Sequence, residues 1–372
     1  MSERLVVLAT GGTGGHMFPA EALASELLQR GCRVALVTDR RGQAFTERLP
    51  GVALHRIPAG RLGPGIVQRA MGLAELALGT LAAGKLLRRL RPAVAVGFGG
   101  YPSVPTMLAA SRGRVATVLH EQNALLGRAN RLLAPRVSCI ATSFAAVRGL
   151  KPADSARVVF TGNPVRPEVA KHRVTAYTAP GAEFNLLVTG GSQGARILSA
   201  VIPIALGLLA PEIKARLRLM QQARPEDVEQ VRETHRRNGV AAEVTAFFHD
   251  LPARLAKAHL VIARAGASTV AELTVIGRPA ILVPYAQAAD DHQTVNAQAL
   301  GEAGAAWVMP EASFTPEALA ERLSALLAAP DTLAPAAAAA RGLGRPDAAE
   351  RLADLVIACA GANGAAAQVQ AA

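Results

Sequence analysis

The sequence predicts an α/β protein built from two doubly wound parallel-sheet domains, and three observations carry that expectation. The chain has 372 residues, more than one hydrophobic core ordinarily supports. Short runs rich in Val, Leu, Ile and Ala alternate with helical patterns along its length, as parallel strands covered on both faces do. A strand, a glycine turn and a helix open the chain, and the same trio returns 179 positions later, at Thr10 and again at Thr189.

Taken in order, the apolar run 5–9 ends in Thr10-Gly11-Gly12-Thr13-Gly14-Gly15-His16, after which Pro19 opens a helical pattern with Leu23 and Leu27 on one face. Strand-like runs follow at 33–38, 52–57, 94–97, 115–120, 137–141 and 158–160. The second half restarts at 186–188, passes through Thr189-Gly190-Gly191-Ser192-Gln193-Gly194-Ala195-Arg196, and continues with runs at 218–220, 243–246, 260–263 and 280–283. The boundary is expected just after Gly162-Asn163-Pro164-Val165. The reading is an N-terminal domain over 1–165, a C-terminal domain over 166–345, a helix over 346–360 and a disordered tail over 361–372. The Ala/Pro-rich stretch 333–346 reads as low in complexity.

Composition narrows the function classes. An apolar fraction of 51% excludes a disordered chain, and a formal charge of +12 with pI near 10.7 invites an anionic partner. Of 40 basic residues 35 are Arg, so codon bias accounts for part of that charge. Only 3% of residues are aromatic and no dense basic run occurs, which argues against nucleic acid. Cys32, Cys139 and Cys359 lie far apart without a CxxC spacing, which fits a reducing compartment. Five apolar residues near the N-terminus are too few for a secretory leader, so the protein is expected to stay inside the cell.

A glycine turn that opens a helix lets backbone amides approach a phosphate, and the helix end adds about half a positive charge. Both turns are therefore candidate phosphate sites, and in doubly wound sheets ligands bind at the carboxyl ends of the strands. The first turn fits only the start of GxGxxG, with Met17 at the third glycine position, although Asp39 keeps a nicotinamide oxidoreductase as an alternative. No GxxxxGK[ST] and no DxD occurs. A diphosphate held without a metal must be neutralised by helix ends and cations, and no cofactor is expected.

Several segments together resemble the MurG glycosyltransferases: 11–16, Gly99-Gly100-Tyr101, His120-Glu121-Gln122-Asn123, 162–166, 190–196, 264–272 and 290–296. The resemblance implies the GT-B fold, two Rossmann-like domains facing each other across a cleft with a C-terminal helix returning to the first. It implies inverting transfer of N-acetylglucosamine from its UDP derivative to the muramyl O4 of undecaprenyl-diphosphate-linked muramyl pentapeptide. A related enzyme of the same fold, such as a nucleotide-sugar epimerase or a transferase to a soluble acceptor, is the alternative.

By that resemblance UDP belongs to the C-terminal half. The helix opened by Ala267, Ser268, Thr269, Val270 and Ala271 would face the diphosphate, and Glu272 would accept both ribose hydroxyls, since a carboxylate offers two acceptor oxygens to a vicinal diol. Phe248 would meet uracil through its backbone. Ser192 and Arg166 would bind phosphate, and Gln293, Asn296 and Asn123 would read the sugar. Thr13, Gly14 and Gly15 would also reach the donor. The acceptor would lie on Gly14, Gly15, Gly100 and Tyr101. A sugar hydroxyl attacks through a positioned base: His16 is the first candidate, kept neutral by its helix end, and Glu121 is either a competing base or the residue that orients the site.

The apolar run 70–87 contains Glu75 and Lys85, with Arg61 and Arg69 before it and Arg88, Arg89 and Arg91 after. It reads as a packed helix with an exposed edge rather than a membrane span. An arginine rim would hold that edge on anionic lipid, at the cytoplasmic face of the inner membrane.

Overall fold

The computed structural model describes residues 4–11, 14–39, 51–60, 65–113, 115–191 and 194–369. The chain divides into two compact units, Met1–Arg166 with Asp347–Ala372, and Pro167–Pro346.

Among the described residues the first unit builds one parallel sheet from β1 (Leu5–Ala9), β2 (Arg33–Thr38), β3 (Ala53–Arg56), β4 (Val94–Gly97), β5 (Ala116–Glu121), β6 (Cys139–Thr142) and β7 (Val158–Phe160), in the order β3-β2-β1-β4-β5-β6-β7. In register, Leu8 of β1 lies opposite Leu36 on one side and Val96 on the other. Side chains alternate between faces along a strand. Val6 and Leu8 therefore pack into one core with Leu23 and Leu27, while Val7 and Ala9 pack into the other with Leu87 and Met107. The helices are α1 (Gly14–Gln29), α2 (Ile66–Leu90), α3 (Ser103–Ser111) and α4 (Arg128–Leu133).

Helix α1 begins at Gly14, five residues before the start expected at Pro19. Proline removes one amide bond and crowds the carbonyl four residues back, which here belongs to Gly15, still within the first turn. His16 accordingly sits in the first turn of a helix.

The second unit repeats the scheme with β8 (Phe184–Thr189), β9 (Leu217–Gln222), β10 (Ala242–Thr245), β11 (Leu260–Ala263), β12 (Ala280–Leu282) and β13 (Ala306–Val308), ordered β10-β9-β8-β11-β12-β13. Its helices are α5 (Pro167–Lys171), α6 (Arg196–Gly207), α7 (Pro211–Arg216), α8 (Val228–Arg237), α9 (Leu251–Lys257), α10 (Ala267–Ile276), α11 (His292–Glu302), α12 (Pro316–Ala328) and α13 (Leu333–Leu343). Helix α13 occupies the stretch read as low in complexity. Its alanines are small enough to let Ala336, Ala337 and Ala340 bury, and it packs against α10.

The last helix, α14 (Ala348–Val369), belongs to the first unit, where Leu352, Ala353 and Val356 enter the core beside α1. Arg30 Nη1 of α1 meets Asp354 at 2.5 Å, and Cys139 and Cys359 bring their sulfurs to 2.7 Å. Helical backbone continues past residue 360, through a run of alanines with high helix propensity, into the stretch read from sequence as a tail.

Candidate active site

In both sheets the strand order reverses between the first and fourth strands, β1 and β4 in one unit, β8 and β11 in the other. Connections leave opposite faces there, which opens a crevice at the carboxyl ends. Gly11, Gly99, Gly100, Gly162, Gly190 and Gly191 follow such ends within a few residues.

In the first unit, β1 feeds the turn that leads into α1, and β4 feeds Phe98, Gly99 and Gly100. Gly99 and Gly100 have φ of 82° and 71°, backbone that a side chain strains. A Cβ on Gly100 would lie 3.4 Å from His16 Cδ2 and 3.6 Å from Nε2, so the bare backbone passes against the imidazole. Tyr101 follows, half-buried, before α3. Gly14 and Gly15 start α1, while Thr13 lies outside the described residues. The Arg166 guanidinium sits 5.1 Å from the centre of the Phe18 ring, which brings this cation to the α1 end of the same unit.

Strand β5 delivers His120 and Glu121, and the loop beyond it Gln122 and Asn123. Gln122 Oε1 lies 3.0 Å from His16 Nδ1. Glu121, 1% exposed, is occupied on both oxygens. Its Oε1 accepts from the Asn123 amide at 3.0 Å and Asn123 Nδ2 at 3.1 Å, and its Oε2 from the Gly127 amide at 2.9 Å and Asn130 Nδ2 at 2.7 Å. A carboxylate with four donors on it holds the loop and the start of α4 in place and is badly disposed to take a proton from a substrate. Burial of the His120 ring pushes its pKa down to about 4, so this histidine is neutral at ordinary pH.

In the second unit, Gly190 and Gly191 leave β8, and a Cβ on Gly190 would come within 2.5 Å of the Ala195 amide nitrogen, which only glycine permits. Ser192 lies outside the described residues. From β11 the chain passes through Arg264, Ala265 and Gly266 into α10, whose first turn carries Ala267, Ser268, Thr269 and Val270. The Ser268 hydroxyl is buried and has no hydrogen-bond partner among the described residues. A buried donor at a helix N-terminus is placed to meet an oxyanion. Ala271 and Glu272 follow one turn on, and Glu272 is buried.

Asn296 of α11 braces this turn, and Gln293 braces the segment that follows β12. Asn296 Nδ2 donates to Ala265 O at 3.0 Å, and Gln293 Oε1 accepts from the Tyr285 amide at 3.0 Å. Asp290 and Asp291, at the entry to α11, have φ of 54° and 55°, strain that clusters at functional sites. Arg264 is tied down by Val283 O at 3.1 Å, Pro284 O at 3.3 Å and the Glu311 carboxylate. Phe248 is 5% exposed, its ring beneath the Arg254 guanidinium, while neighbouring Phe247 is 53% exposed.

Residues 6–142 match the glycosyltransferase family 28 N-terminal domain, and residues 185–352 the glycosyltransferase family 28 C-terminal domain. The chain is 56% identical to the UDP-N-acetylglucosamine--N-acetylmuramyl-(pentapeptide) pyrophosphoryl-undecaprenol N-acetylglucosamine transferase of Rhodospirillum centenum, over 97% of this chain and 96% of that one. Its counterpart of the same name from Rhodospirillum rubrum is 58% identical, over 95% of this chain and 92% of that one. The chain belongs to the MurG glycosyltransferase family. The crystal structure of Acinetobacter baumannii MurG superposes with a TM-score of 0.79 at 28% identity, covering 95% of this chain and 99% of that one. The chain is thus an enzyme with two Rossmann-like domains of the GT-B class, and the oxidoreductase alternative falls.

Three features had no signal in the sequence beyond their motif membership: the strained pair Asp290 and Asp291, the Ser268 hydroxyl without a hydrogen-bond partner among the described residues, and the contact of Gln122 with His16. Each depends on atoms brought together by the fold.

Proposed function

We propose that this chain transfers N-acetylglucosamine from UDP-N-acetylglucosamine to the muramyl O4 of undecaprenyl-diphosphate-linked muramyl pentapeptide, with inversion at the anomeric carbon. The observation that carries the reading is identity of 56–58% over nearly the whole length to transferases bearing that name. The geometry supports a division of labour. In the second unit, amides of the first turn of α10, with the Ser268 hydroxyl, stabilise the diphosphate as charge develops on it. Glu272 accepts from the ribose hydroxyls, and Gln293 and Asn296 read the sugar. In the first unit, the glycine turns at Gly14, Gly15 and Gly100 hold the acceptor's diphosphate beside Tyr101.

His16 Nε2 takes the proton from the attacking hydroxyl as the O–C1 bond forms. The C1–O bond to phosphate breaks and its electron pair leaves with UDP. Glu121, with its oxygens filled by loop donors, positions the segment that carries Asn123 and Gln122. Arg166 and Ser192 add charge and a hydroxyl to the phosphate sites.

Helix α2 suits a lipid-linked acceptor. It is long and apolar enough to cross a membrane by length and composition, yet Gly72, Gly79, Ala83 and Leu87 form a buried stripe along it. A Cβ on Gly79 would strike Pro58 O at 2.1 Å, so this stripe is pressed onto the unit. Ile66, 87% exposed, with Val67, Met71, Leu78 and Leu81, faces outward, and Arg69, Lys85, Arg88, Arg89 and Arg91 are exposed around them. Such a surface beds into headgroups and prefers anionic lipid; Arg61 lies outside the described residues. On this reading the enzyme works peripherally, at the cytoplasmic face of the membrane.

One experiment tests both parts: labelled UDP-N-acetylglucosamine is mixed with the lipid-linked acceptor in vesicles, with and without anionic lipid. Label entering the lipid fraction, faster on anionic vesicles at low salt, is the expected result. No transfer refutes the activity, and equal rates on neutral and anionic vesicles at every salt concentration refute the charged surface.

A further inference from the structure

The contacts that lead to His16 form a chain fixed at two points by backbone carbonyls, Gly162 O and His120 O, and carbonyl oxygens only accept. His120 Nε2 lies 3.2 Å from Gly162 O, so Nε2 must carry the hydrogen. Ser143 Oγ, 3.4 Å from the same nitrogen, can play either role and does not alter that assignment. A neutral imidazole has one donor and one acceptor nitrogen, which leaves the lone pair on Nδ1. Gln122 Nε2 lies 2.9 Å from that Nδ1 and 3.0 Å from His120 O. Both positions demand a donor, so the amide group can point only one way. Its oxygen, Oε1, is thereby turned to His16 Nδ1 at 3.0 Å, and that nitrogen must be the donor. The hydrogen of neutral His16 is on Nδ1 and the lone pair is on Nε2, the nitrogen that lies against Gly100.

We infer that Gln122 and His120 are positioning residues that hold His16 in its Nδ1–H tautomer, so that Nε2 is ready to accept a proton. The inference rests on the proposed role of His16 as base. Neither residue touches substrate in this account. The contacts with His120 fix the Gln122 amide, and an amide flipped by 180° would present an N–H to His16, force the hydrogen onto Nε2 and block proton transfer. The ring of Phe98, 5.5 Å from that of His120, and the Asn130 amide, donating to His120 O at 3.3 Å, hold the relay from its other sides.

The test uses the full chain labelled with 15N-histidine, with His16 assigned by the signal missing from His16→Ala. Long-range 1H–15N correlation reads which ring nitrogen is protonated. In the wild type, His16 is expected protonated on Nδ1 and His120 on Nε2. In Gln122→Met, His16 becomes a mixture of tautomers, kcat falls on the order of tenfold, and KM for UDP-N-acetylglucosamine changes by less than about twofold. Gln122→Glu, whose protonated carboxyl donates to His120 Nδ1 through one oxygen and accepts from His16 Nδ1–H through the other, retains the tautomer and recovers most of the lost kcat. A purely structural role for Gln122 would not move the tautomer. Wild-type His16 protonated on Nε2 overturns the inference without any variant having to fold, as does Gln122→Met with tautomer and kcat unchanged. If the tautomer shifts in Gln122→Met while kcat stays, the positioning is upheld and the base role of His16 fails instead.

Discussion

Replacing Glu121 with glutamine separates its two conceivable roles, because the change keeps the shape and removes one acceptor oxygen. The native carboxylate accepts from four donors, two on each oxygen. In Glu121→Gln one pair, either the backbone and side-chain nitrogens of Asn123 or the Gly127 amide with Asn130 Nδ2, must face an NH2 group. Hydrogen bonds to a charged acceptor contribute about 1.5–3 kcal/mol each, and a buried donor left unmatched costs about 1–3 kcal/mol. Removing the desolvation cost of a buried charge offsets part of this. The net loss for the first unit is on the order of 3 kcal/mol. Urea denaturation followed by circular dichroism measures it, and hydrogen exchange at residues 122–131 shows whether the loss is local. Glu121→Gln with stability within about 1 kcal/mol of wild type, yet turnover reduced about 100-fold or more, would make Glu121 the base rather than a brace.

Other outcomes follow from the same geometry. His120 titrates near 4 when folded, against 6.5 for the unperturbed group. The unfolded chain therefore binds the extra proton between those values, and stability falls as pH drops through this window. About 2 kcal/mol of any loss between about pH 7 and pH 5 is assigned to this residue, and urea midpoints in His120→Gln should show that much less pH dependence. Glu272→Ala removes the carboxylate one turn into α10, so KM for UDP-N-acetylglucosamine should rise roughly 10- to 100-fold, as expected for loss of hydrogen bonds to a charged group, with a smaller change in kcat. An unchanged KM would show that this buried glutamate serves packing alone.

Much of the fold was readable because continuous apolar strands between helices leave few alternatives. The runs at 5–9, 33–38, 94–97, 158–160 and 260–263 coincide with β1, β2, β4, β7 and β11. Strand β13 was not: Ala306–Val308 is three residues long and sits at the sheet edge, too short for a period to emerge. The α1 start was misjudged because proline is a good helix opener, and only the structure reveals that two glycines before it are already helical. Alanine-rich 333–346 read as simple sequence because composition alone cannot see the partner helix that buries it. At the site, motif residues were visible one by one, but their mutual contacts were not. The occupation of both Glu121 oxygens, on which its proposed bracing role rests, depends on Gly127 and Asn130, neither of which looked functional in the sequence.

In the proposed mechanism the first unit supplies the base and the second holds the donor. The most direct measurement compares, in His16→Ala, the affinity for UDP by calorimetry with turnover under saturating donor and acceptor. The account predicts turnover lowered about 100-fold or more with UDP affinity within about twofold of wild type. Turnover at the wild-type level, or an affinity that falls as far as turnover does, would contradict it.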